Sequence, residues 1–208
     1  YHKIVNCDLF KNFTLGINPK LFTSNQIKKY FLKNNKIKFI KTDLIKQNSE
    51  KKLNHSRPFF SLDKHIVGES NKKKINKIIN FLKRNKSSFI FITAPENVAW
   101  LLNIRGYDSP NSPIPNCHLL LDNKKNLYLI TNKRKAKNLI KEKKIKPSEI
   151  IDPNNFQLLV KSLNGNKIII DSKTCSLFNE NILKTKFKIL SKEDPIYMLK
   201  AIKTKKEI

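Results

Sequence analysis

The stretch Ala94-Pro-Glu-Asn-Val-Ala-Trp100-Leu-Leu-Asn-Ile-Arg-Gly106-Tyr-Asp-Ser-Pro-Asn-Ser-Pro-Ile-Pro115 stands apart from the rest of the chain, because it holds the only Trp, four of the nine Pro and one of the few Arg. Pro95 suits the first turn of a helix, where its missing N–H would be unpaired anyway, so a helix is expected from Pro95 to Leu102. That helix should bury Val98, Trp100 or Leu101 against a sheet. Asn103-Ile-Arg-Gly106 breaks it, with Gly106 expected in a backbone turn closed to other residues. Pro110, Pro113 and Pro115 stiffen the exit at low entropic cost. A rigid loop presenting Asn103, Arg105 and Asp108 is suited to a carboxylate or a peptide backbone. The same spacing also allows Arg105 to pair internally with Asp108.

Working outward, strands alternate with helices on both sides. Upstream of the stretch lies the apolar run Phe89 to Thr93, a buried strand, preceded by a helix from Lys72 to Arg84 that Ser70 caps. Its Ile75, Ile78, Ile79 and Leu82 fall at helical spacing, which is ordinary core, while the lysines take the outer face. Further back, a strand at Phe13 to Ile17, a helix capped by Thr23 or Ser24 through about Asn34, and a strand at Ile37 to Ile40 form a first group. The polar segment Thr42 to Asp63 reads as a linker. Downstream, Cys117 to Asp122 and Leu127 to Thr131 flank a hairpin-sized connection. Then follow a lysine-rich helix at 132 to 144, a strand at Ile150-Ile151, a helix from Pro153 to Leu163, and a turn at Asn164-Gly165-Asn166. A strand from Lys167 to Asp171, a helix from Ser176 to Leu183, a strand from Phe187 to Leu190 and a helix opened by Asp194-Pro195 complete the order. The fold class is therefore α/β, with mixed β-sheets flanked by helices.

The 208 residues carry 43 Lys plus Arg against 16 Asp plus Glu, a formal net charge of +27 that excludes an acidic binding protein. A basic nucleic-acid-binding domain would be one use of that charge. Such binders favour Arg, however, and only Arg57, Arg84, Arg105 and Arg134 are present beside abundant Lys, Asn and Ile, all encoded by A/T-rich codons. Coding composition accounts for the excess, and nucleic acid is not the expected partner. Only 132 to 146 is dense enough to be a basic patch, and it reads equally as a solvated helix face. Cys7, Cys117 and Cys175 lack metal-ligand spacing and are expected as reduced, buried thiols. There is no Gly-rich phosphate loop and no HExxH, and His2, His55, His65 and His118 do not cluster with carboxylates. His118 is expected as a strand residue with a satisfied ring. No apolar run approaches the roughly 18 residues of a membrane span, and the expected location is cytoplasmic.

Trp100-Leu-Leu-Asn-Ile-Arg-Gly106, followed by a Pro-rich segment and an apolar strand, closely resembles the segment "AWLLNIRG…D.P..P" of aminopeptidase P, the Xaa-Pro aminopeptidases of the creatinase/prolidase superfamily. Ordered matches flank it. Gly16-Ile-Asn-Pro-Lys-Leu-Phe-Thr23 is similar to the family's "G.DP..hT" start of a helix, with Asn18 in place of the usual Asp. Thr42-Asp-Leu-Ile45 with Arg57-Pro58 resembles its linker, without the usual Trp between Gln47 and Asn54. Val67-Gly-Glu-Ser70 resembles the start of its second domain, and Asp194-Pro-Ile-Tyr-Met-Leu-Lys-Ala-Ile-Lys203 the helix that leads into its catalytic domain.

The resemblance implies the following organisation. Residues 1–64 would be the C-terminal part of a first creatinase N-terminal-like domain plus linker, 65–193 a second such domain, and 194–208 the start of a helix towards a "pita-bread" catalytic domain beyond this chain. With Tyr1 in place of an initiator Met and Ile208 inside what reads as a helix, the sequence is read as a noncatalytic piece of a longer metalloaminopeptidase. Two Mn or other divalent ions would sit in that further domain and activate water for attack on an Xaa-Pro amide. Implied partners are a peptide with Pro at its second position and a second copy through the further domain. The substrate-binding candidates in this piece are Asn103, Arg105 and Asp108, with no catalytic or metal-ligating residue. The alternative within the superfamily is a catalytically dead binding module.

Overall fold

The computed structural model describes residues 12–32, 35–40, 57–63 and 65–204. Its centre is a six-stranded sheet in the order β10-β9-β4-β6-β7-β8, formed by β4 (Phe89–Ile92), β6 (His118–Asp122), β7 (Leu127–Ile130), β8 (Ile150–Ile151), β9 (Lys167–Ile170) and β10 (Lys188–Ser191). β6 runs antiparallel to both neighbours, whereas β9 is parallel to β4 and to β10, and β8 is parallel to β7. The expected mixed sheet is thus found, its hairpin made by β6 and β7.

The side chains of β4 explain why it sits inside. Its sequence FIFI is buried along its length, Ile90 and Ile92 joining one core and Phe89 and Phe91 the other. Successive strand side chains point to opposite faces, so both faces must be covered by helices. On one face lie α2 (Asn71–Arg84) and α3 (Pro95–Leu102), through Ile78, Leu82, Val98 and Leu101. On the other lie α5 (Phe156–Ser162) and α6 (Leu177–Lys184), through Phe156, Val160 and Leu183. The final helix, α7 (Ile196–Ala201), is tied to α3: Asn97 Nδ2 donates to Asp194 Oδ2 at 2.7 Å, and Lys200 Nζ donates to Asn97 Oδ1 at 2.7 Å. It ends at Ala201, with Ile202 extended, rather than continuing through Ile208; residues 205–208 lie outside the described residues.

A small unit packs beside this body. Strands β1 (Thr14–Ile17) and β2 (Lys36–Phe39) form a two-stranded parallel sheet, and α1 (Ser24–Tyr30) between them opens with a capping box of Thr23 and Gln26. Its carbonyls at Pro19 and Phe22 accept the backbone N–H groups of Phe178 and Leu177, the first amides of α6. Leu177 also packs against the buried Ile17, Ile27 and Phe31.

Two parts of the chain depart from the expected elements. The supposed linker carries Phe59, fully buried in the main core, and a short strand β3 (Phe60–Ser61) antiparallel to β5 (Ile104–Arg105). Residues 42–56 lie outside the described residues. The lysine-rich helix is only α4 (Lys137–Lys141), not 132 to 144. Ala136 and Leu139 alone anchor it in the interior, Asn132 Oδ1 accepts the Arg134 N–H in a preceding turn, and Lys143 adopts a left-handed φ of 55°. Among the described residues no helix is long and apolar enough to cross a membrane.

Candidate functional site

The loop after α3 is built around Asn103, which closes the helix in the left-handed region at φ 55° and ψ 44°. Asn is one of the few residues that tolerates this conformation, because its short amide can bond locally. Its Nδ2 donates to the Glu69 carbonyl at 3.0 Å, its Oδ1 accepts from Lys74 Nζ at 2.7 Å, and its own carbonyl accepts the Leu62 N–H. Lys74 is itself buried, donating to the Trp100 carbonyl at 2.8 Å and lying 4.0 Å from the centroid of the Trp100 ring. Asn103 is therefore bound on every side by the chain.

Gly106 does not take a positive φ, contrary to expectation. Its role is close approach: a Cβ there would meet the Pro115 Cα at 2.7 Å and the Phe59 ring at 3.0 Å. The loop closes where the Gly106 N–H donates to the Pro113 carbonyl at 3.1 Å. Arg105 and Asp108 are held apart by their other partners. Arg105 Nη1 donates to the Ile104 carbonyl at 2.8 Å and the Ala99 carbonyl at 3.4 Å, and partial burial lowers its pKa from the ordinary value. Asp108 accepts the Asn116 N–H at 2.6 Å through one oxygen and pairs with Lys135 through the other. Beyond them Tyr107 is exposed, its ring 5.1 Å from Phe60 and with the Arg57 guanidinium 5.6 Å above it.

Through Asn116 and Lys135 the loop borders a cleft of about 550 Å³ at the carboxyl ends of β4 and β7. Here sit His118 and Thr131, which sequence reasoning did not single out as a site. Among the described residues His118 Nδ1 and Thr131 Oγ1 are buried without a hydrogen-bond partner. The expected satisfied ring of His118 is thus corrected: only a backbone interaction at Thr93 favours its protonation, against the larger effect of burial, which lowers its pKa. The signal that could have found them is their position at strand ends on one edge of an α/β sheet. Cys117 and Cys175 are buried free thiols, and burial pushes both upward in pKa, Cys175 to about 12; Cys7 lies outside the described residues. Among the described residues no group of three or more His, Cys, Asp or Glu side chains could hold a metal ion.

The Creatinase/Prolidase N-terminal domain family model matches residues 49–207. The chain belongs to that family. Relatives of this creatinase/prolidase N-terminal domain include Xaa-Pro aminopeptidase 1 of Dictyostelium discoideum, 30% identical over 154 residues, covering 72% of this chain and 24% of that protein. A probable Xaa-Pro aminopeptidase P of Laccaria bicolor is 27% identical over 161 residues, covering 74% of this chain and 25% of that protein. The chain thus spans about a quarter of the length of these curated relatives. Its fold is that of an X-prolyl aminopeptidase from Caenorhabditis elegans, described as a cytosolic enzyme with a di-nuclear active site. The TM-score is 0.77 at 18% identity, over 96% of this chain and 34% of that one. The resemblance to the N-terminal portion of aminopeptidase P, carried by Trp100 to Gly106, is borne out, as is the fold class.

Proposed function

We propose that the chain is the N-terminal, non-hydrolysing part of a metal-dependent Xaa-Pro aminopeptidase that acts on peptides with Pro at the second position. The observation that carries this is the family match joined to the locked Asn103–Pro115 loop. Residues 1–64 and 65–193 serve as the two N-terminal-domain parts, and 194–208 leads towards the catalytic domain. Phe59 and β3 nevertheless pack with the second part. The described residues do not supply a ligand set for the implied pair of metal ions. Metal binding, dimerisation and cytoplasmic residence belong to the parent polypeptide.

In this reading the loop walls the substrate entrance. Asn103 and Asp108 hold its two ends, and Arg105, whose Nη1 is anchored on two carbonyls, presents the positive charge to a peptide carbonyl or carboxylate. The test is Arg105→Ala in the polypeptide extended past residue 208. Turnover of an Xaa-Pro peptide should fall about tenfold, the loss expected for one charge-assisted hydrogen bond. Unchanged kinetics would assign Arg105 to packing alone.

A further inference from the structure

The cleft at the strand ends has features that the loop does not explain. Ligands of open α/β sheets bind outside the carboxyl ends of strands, where diverging connections leave a crevice. Here that edge is the end of β4 and β7 beside the start of the antiparallel β6, walled by Phe156 of α5, Phe178 of α6 and, from the small unit, Lys20. Thr131 is only 2% exposed, and its Oγ1 lacks a partner among the described residues, as does His118 Nδ1. An unpaired buried polar group loses its hydration with nothing in return, so folded chains rarely leave two at one place without a partner from outside.

The character of the walls narrows the ligand. Among the described residues their side chains include Lys20 and Lys135 and no Asp or Glu. Lys135 is already paired with Asp108. Lys20, exposed and 4.8 Å from the Phe178 ring centroid, has no carboxylate partner among the described residues. Phe91 and Phe156, stacked at 4.9 Å, give the interior an aromatic surface. The N-terminal amides of α6 are not available to an anion, since Leu177 and Phe178 donate to Phe22 and Pro19, and Asn179 donates to Ser176 Oγ.

We propose that this cleft binds a small organic anion, its carboxylate or phosphate held by Lys20, its apolar body against Phe156 and Phe178, and a polar atom completing Thr131 and His118. Because side chains rather than helix amides hold the charge, affinity should depend on Lys20.

The test titrates the 208-residue chain, at about 150 mM salt to screen non-specific attraction, with benzoate and AMP as carboxylate and phosphate probes. Benzylamine and adenosine are the matched compounds without the negative charge, and amide NMR is the readout. The proposal expects saturable shifts at His118 and Thr131 with at least one anion, about tenfold tighter than with its counterpart, a difference of about 1.4 kcal/mol. Response to benzoate alone assigns a carboxylate, and to AMP alone a phosphate. Lys20→Glu, a surface change, should weaken binding about tenfold, and Thr131→Val several-fold. If Thr131→Val does not fold, Lys20→Glu decides alone. Shifts that never saturate, that spread over the lysine-rich surface, that match those of the counterparts, or that survive Lys20→Glu overturn the proposal.

Discussion

At Gly106 the structure leaves no room for a single methyl group. A Cβ would lie 2.7 Å from the Pro115 Cα, and backbone cannot move as a side-chain end can. Gly106→Ala should therefore destabilise the chain by about 1–3 kcal/mol, read from the midpoint of chemical denaturation; an unchanged midpoint would mean that the loop yields. His118 gives a prediction of a different kind. Burial holds its folded pKa below 6.5, so as pH falls through 6.5 the unfolded chain takes up a proton that the folded chain refuses. Stability should thus be full above that value and decline below it, and denaturation between about pH 7.5 and 5.5 should show a shallower decline in His118→Phe. A parallel decline in both would contradict this. Residue-scale roles were only partly legible. An Asn directly after a helix is a signature of a left-handed cap, and Asn103 forms that cap at the end of α3. Neither the partners Lys74 for Asn103 nor Lys135 for Asp108 could be read from spacing, because both pairs join residues 27 or more apart.

At the scale of elements, those whose apolar pattern matched one period were legible. The 3.6-residue stripe of α2 and the continuous apolar run of β4 lie where the sequence placed them. The failures came where pattern was short or charge dominated. Two-residue strands that pair over more than 40 residues of chain, as β3 and β5 do, have no period to detect, and Phe59 stands in an apolar run too short to show one. Phe59→Ala should cost about 3–5 kcal/mol, as for a fully buried Phe, whereas a solvated linker residue would cost nothing measurable; thermal or denaturant unfolding separates the two. In the other direction, lysines favour helix locally but cannot extend α4, which has only Ala136 and Leu139 to bury. At α1 the capping box is a local signal that tertiary packing kept, and Thr23→Ala should lower stability by about 1 kcal/mol by the same measurement.

For the whole molecule, the order of strands and helices was legible, but the arrangement of units was not. The small unit docks by capping the start of α6 with its own carbonyls and by burying Leu177, contacts between residues about 150 apart in sequence, reinforced by Ser24 Oγ donating to Glu180 at 2.7 Å. The charge of +27, the loudest compositional signal, shaped none of these contacts. The proposed role rests instead on the Asn103–Pro115 loop and on the family to which the chain belongs. The most direct measurement of that claim is release of the N-terminal residue from an Xaa-Pro-Pro peptide with Mn present, run on the 208-residue chain and on a longer polypeptide that joins it to the proposed catalytic domain. The first should leave the peptide intact and the second should release its N-terminal residue in a metal-dependent way. A longer polypeptide that leaves the peptide intact while binding metal, or a 208-residue chain that cleaves it, would contradict the account.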